Sequence, residues 1–153
     1  MSLYELLLFV HIMAAIVWVG GGFTMQIFAA RAMRAPDAGR KASLMSDFSW
    51  VGQRVFTPAS GVLLLFGIFL VLDGNWSFGD PWISAGILIW LVSLGIGIGF
   101  FRPQSERLAA LMTAEGPGSP AVAQGMERIL MVGRVDLALL VAAVFLMATK
   151  PGT

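Results

Sequence analysis

Cysteine is missing from all 153 residues. That excludes disulfides, thiolate metal centres, iron–sulfur clusters and covalent c-type haem attachment. Histidine occurs once, as His11, and tyrosine once. With one His and no Cys, a three- or four-ligand zinc-type site is out of reach of the usual ligands. Charge is scarce as well. Asp, Glu, Lys and Arg make up 12% of the chain, against roughly 25% in soluble domains. The net charge of +1 gives no electrostatic preference for nucleic acid, and no nucleic-acid partner is expected. No repeat of 20–50 residues is visible. What is abundant is apolar: 58% hydrophobic residues, 18 glycines and nine methionines, with a mean hydropathy of +0.82. This is the composition of helices packed in lipid, in a chain long enough for one domain.

Four apolar segments follow, about residues 3–30, 48–72, 82–101 and 125–149. The first holds one charge, Glu5, in 28 residues, and at about 1.5 Å per residue it exceeds the roughly 30 Å hydrocarbon layer. No Lys or Arg precedes it, and it is about twice the length of a signal-peptide core, so it is expected to be a retained span. Pro36, Asp37 and Gly39 mark a turn in a basic loop after it. Pro81 is placed to open the third span, Arg102 and Pro103 to close it, and residues 104–112 to continue as a short interfacial helix. The run from Gly116 to Pro120 is a break before the fourth.

The basic residues set an orientation. Arg31, Arg34, Arg40 and Lys41 fall in the first loop and Arg102 and Arg107 in the third connection, while the second loop has none. Both termini are therefore expected outside and both basic loops in the cytoplasm, in the cell's inner (plasma) membrane. Short and moderate connections give an all-α, antiparallel four-helix bundle in contact with the lipid bilayer. Gly95 and Gly99 form a GxxxG face, suited either to packing within the bundle or to a dimer seam.

The few polar residues inside the spans carry the functional expectations, because such groups are costly in lipid and gather inward. At 100° per residue, His11, Trp18 and Gly22 share one stripe of the first helix. His11 is open to four roles: a neutral ring donating to a neighbouring helix carbonyl, a haem axial ligand, a ligand of another metal, or a proton acceptor. In the haem case, glycines near Gly22 give a slot and Arg54 or Arg134 a cation for the propionates. Arg134 and Asp136 are about 200° apart on their helix, so Asp136 is expected to pair with Arg54, as a structural ion pair or as a proton or ligand site. Thr57, Ser60 and Ser93 are expected to bond helix carbonyls. No Ser–His–Asp nucleophile is argued, and the glycine triplet at 20–22 fails as a phosphate loop because no strand precedes it.

The segments FVHIMAAIVWVGGGFTMQIFAARA, WVGQRVFTPASGVLLLFG and GRVDLALLVAAVFLMATKP resemble the bacterial integral membrane proteins grouped as domain of unknown function 2269, over essentially the whole chain. The H-x6-W-x-G core, here His11, Trp18 and Gly20, is also similar to the first span of HemJ-type membrane protoporphyrinogen oxidases and of CopD membrane domains. In the HemJ type the corresponding histidine is implicated in haem b binding, a role that the resemblance would assign to His11. The further histidines of both relatives are absent here.

Three functions of different classes are compatible with these features, and none specifies a reaction. The first is a haem b-binding redox protein centred on His11, with Trp18, Gly22 and Arg54 around the cofactor. The second is a structural or accessory subunit of a homodimer or larger membrane complex, docked through Gly95 and Gly99. The third is a small proton-coupled transporter using His11 and Asp136 as a relay.

Overall fold

The structure, a computed structural model, describes residues 2–34 and 38–152. Its frame is four helices long and apolar enough to cross a membrane: Leu3–Met33, Ser46–Asp73, Pro81–Glu115 and Pro120–Thr149. They are called the first to fourth spans below. The second continues a preceding helix, Ala38–Val51.

Local chemistry explains where they start and stop. Ser2 and Glu5 cap the first helix reciprocally: the Glu5 backbone N–H donates to Ser2 Oγ (3.2 Å) and the Ser2 N–H to Glu5 Oε2 (2.8 Å), a capping box. The third and fourth spans open with Pro81 and Pro120, behind Asp80 and Ser119, where a missing N–H costs nothing. Lys150 ends the fourth in the left-handed region, at φ 43°.

Consecutive spans run antiparallel and close into a ring. The first packs on the second, the third on the fourth, and the fourth on the first. The second and third are joined by the Trp90 indole N–H donating to the Ser60 carbonyl (3.1 Å). At the end carrying Leu3, Asp73, Pro81 and Thr149, here the upper end, Val71, Trp82 and Ile83 form a small core. The Lys150 ammonium lies 4.5 Å from the Trp76 ring centre and 5.4 Å from that of Trp82, a cation–π latch on the chain end.

Most large apolar side chains along the spans point outward. Phe9, Leu88 and Phe145 are about 60% exposed, which in water would be prohibitive and in acyl chains costs nothing. The tightest core lies at the lower end, where Ala32, Leu108, Val122 and Met126 are buried together, with Leu44 and Phe48 packed against them.

Two expected boundaries shift. The third span does not stop at Arg102–Pro103 but runs on to Glu115. A five-residue π segment, Gly97–Phe101, precedes the proline, and the Arg102 N–H reaches back to the Gly97 carbonyl. This wider turn lets Pro103 sit in the first turn of the helix that follows rather than break it. The expected basic loop is largely helical too: the first span reaches Met33 and helix resumes at Ala38, because Leu44 and Phe48, four residues apart, have the lower core to bury against. Pro36 and Asp37 of the expected turn lie outside the described residues.

Candidate functional site

His11 lies eight residues past Leu3, about 12 Å along the helix from its upper end. Its ring is wedged against the second span, with Nδ1 2.9 Å from the Leu63 carbonyl oxygen. A carbonyl only accepts, so Nδ1 carries the proton and donates it, and Nε2 keeps the lone pair of the neutral ring. Space for this comes from Gly67, one turn further on. A Cβ there would stand 3.1 Å from His11 Cε1 and 3.3 Å from Nδ1, so tight that the ring would have to shift by a few tenths of an ångström. Of the four roles open to His11, the donor to a neighbouring carbonyl is the one present in the geometry. A histidine so fixed also has the tautomer and orientation that metal-ligating imidazoles have.

On the same seam, above His11, an open surface groove of about 450 Å³ is lined by Leu3, Leu7, Phe69, Leu72 and Asp73. Leu7 sits one helical turn before His11 and is buried, so the groove and the imidazole share a wall.

Asp136 is on a different seam, between the third and fourth spans. It lies near the hydroxyl of Ser93, itself buried. Ser60 and Thr57 bond helix carbonyls, of Thr57 (2.9 Å) and Gly52 (3.1 Å), whereas Ser93 turns toward a carboxyl group. The expected Arg54–Asp136 pair is not formed. Arg54 and Arg134 are both exposed, and the described residues form an ion pair elsewhere, Arg102–Glu106 at 3.3 Å. A long guanidinium side chain gains more by reaching out to headgroups and water than by crossing a bundle filled by apolar side chains.

The remaining expected site residues separate. Trp18 is half-buried within a π segment of the first span, Ile16–Gly20. Gly22 faces the fourth span, where a Cβ would lie 4.0 Å from Leu137 Cδ1. Arg54 is nine residues from Leu63, roughly 13 Å along the second span. Gly95 and Gly99 are exposed, and a Cβ at either would meet nothing within 4 Å. Their face is not used within the bundle. No group of three or more His, Cys, Asp or Glu able to hold a metal occurs among the described residues.

Sequence inspection passes over two features that the structure brings out. One is Gly67, the single small residue in the run LLLFGIFLVL. The other is a seven-residue pattern, G-x-x-x-F-x-P, present as GQRVFTP (52–58) and GIGFFRP (97–103). Each copy forms a π segment, Gly52–Phe56 and Gly97–Phe101. In each, the phenylalanine packs on a glycine of a neighbouring span, Phe56 on Gly21 and Phe101 on Gly133. With Ile16–Gly20, three of the four spans carry such a segment at a similar level.

Compared with known proteins, residues 5–151 match a family described as predicted integral membrane protein (DUF2269). No curated protein matches the chain, and no solved structure does.

Proposed function

We propose that this chain, which belongs to the DUF2269 family of predicted integral membrane proteins, is a small membrane redox protein that holds one haem b through His11. The observation that carries the reading is the Nδ1–H bond to the Leu63 carbonyl (2.9 Å), which leaves Nε2 as a lone pair of fixed direction. With no second histidine and no cysteine, the metal chemistry within reach is one that asks a single ligand of the protein. Haem iron meets that condition because the macrocycle supplies the other equatorial donors. When bound, the haem would supply one-electron transfer, with its potential tuned by the axial imidazole. The residues that would hold it are His11 as ligand and Arg54, roughly 13 Å along the second span from Leu63, as the cation for a propionate; Gly22, turned to Leu137 of the fourth span, takes no part.

The test is an absorption spectrum of the chain purified in detergent from haem-replete cells. We expect a Soret band that disappears in His11→Ala while the helical content is retained. A colourless preparation, or a band unchanged in His11→Ala, overturns the proposal.

One observation favours a second reading, a subunit of a larger assembly. Gly95 and Gly99 lie exposed on the third span with nothing of this chain within contact distance of a Cβ, and such a face allows another helix to approach closely. The third possibility, a relay between His11 and Asp136, has less to support it, since the two sit on different seams, with Leu63 and Ser93 as neighbours.

A further inference from the structure

We propose that Gln26, Ser93 and Asp136 form a binding site for one monovalent metal cation of the sodium class. The proposal is independent of the haem reading and concerns the opposite side of the bundle, where the fourth span meets the first and third.

Two acceptors there are buried and have no hydrogen-bond partner: Gln26 Oε1 and Asp136 Oδ1. Leaving such groups unpaired away from water is expensive, and more so for a carboxylate. The helix geometry brings them together. Gln26 packs against Gly133 of the fourth span, where any Cβ would overlap its amide nitrogen, and its Oε1 is carried by the same amide group. Asp136 is three residues on from Gly133, on the same helix face. Side chains lean toward the N-terminus of their own helix, so on these antiparallel spans Gln26 leans up and Asp136 leans down. Both converge on the turn at Gly133, and Ser93 brings a hydroxyl to the same carboxyl group.

The chemistry of this donor set selects its ligand. All three donors are oxygens, the ligands of hard cations rather than of soft transition metals. They bring one carboxylate between them, matching a single positive charge, and no group of three acidic or histidine ligands suited to a divalent ion occurs among the described residues. The chain offers no cation of its own. Residues 3–30 and 81–101, which cover the two spans packed on Asp136 within the membrane, contain no Lys or Arg. Arg134 points about 200° away on the same helix and is exposed.

The experiment is thermal unfolding of the purified full chain in detergent, at fixed ionic strength, with choline chloride replaced stepwise by sodium, lithium or potassium chloride. We expect a saturable rise in Tm with sodium, as for any ligand that binds only the folded state. Gly133→Ala, which keeps all three oxygen-bearing side chains but displaces the Gln26 amide, and Gln26→Leu are each expected to raise the half-saturating sodium concentration at least about tenfold, the scale of one lost hydrogen bond to a charged partner. Asp136→Asn is expected to lose the response while keeping its Tm in choline, because the new amide donates to Gln26 Oε1. Sodium NMR line broadening by the wild-type chain, reversed by lithium, gives a readout that does not rely on any variant folding. Equal Tm in sodium and choline without line broadening overturns the proposal. So does a sodium response that survives Asp136→Asn. Stabilisation by acid in place of sodium, lost in Asp136→Asn, also overturns it by making the occupant a proton.

Discussion

At the scale of the residue, Gly67 carries more than its size suggests. Glycine inside a helix costs about 1 kcal/mol relative to alanine, and its use here is the imidazole lying over it, 3.1 Å from where a Cβ would be. Gly67→Ala should push the ring off the Leu63 carbonyl and destabilise the chain by about 1–2 kcal/mol, the worth of that hydrogen bond and of an unpaired buried N–H. In a His11→Ala background the same change should reverse sign and stabilise by up to about 1 kcal/mol. Thermal unfolding of the four proteins of this double-mutant cycle reads both effects. That His11 faces a neighbouring helix was legible in the sequence, because a lone imidazole in an apolar run has few places to go. Its partner was not, since a backbone carbonyl has no signature. The expected Arg54–Asp136 pair failed for a related reason: helical periodicity gives the direction of Asp136 but says nothing about whether Arg54, with its long stem, turns inward or out.

At the scale of the element, apolar run length located all four spans, and the errors lie at their ends. The helix expected over residues 104–112 is present, but not as a separate piece: Pro103 is absorbed by a continuous helix because Gly97–Phe101 widens into a π turn before it. Pro58 stands in the same relation to Gly52–Phe56. The recurring G-x-x-x-F-x-P is the sequence form of this device, a pattern too short to register as a repeat. Without an N–H, Pro103 leaves the carbonyl four residues earlier short of a helical partner. Pro103→Ala supplies that donor, so amide exchange across residues 97–107 should slow several-fold, as hydrogen exchange followed by mass spectrometry would record. Faster exchange there would mean that the π turn does not depend on the proline.

At the scale of the whole molecule, the bundle was legible because lipid imposes few solutions: with no water to satisfy the backbone, long apolar runs must be helices. Which faces meet was less legible, since apolar side chains look alike to lipid and to each other. Gly95 and Gly99 show this. Their spacing suits close packing, and within the chain the face stays open. If it serves an assembly, Gly95→Leu should abolish co-purification of differently tagged copies, or of a partner subunit, from membranes while leaving the Tm of the isolated chain within about 0.5 kcal/mol equivalent of wild type, as for an exposed substitution. Unchanged assembly in Gly95→Leu would assign the face to lipid.

The spans, at roughly 42–52 Å from their lengths of 28–35 residues, are longer than a bilayer's hydrocarbon layer, and the surplus at the lower end holds the core of Ala32, Leu108, Val122 and Met126. The molecule thus folds in two media at once. Its upper two-thirds have no water to shed and gain from contact alone, whereas the lower cluster is held by the expulsion of water and shares the weaknesses of that force. Urea or cold, which weaken the hydrophobic effect, would loosen this base first and leave the helices above standing in their lipid.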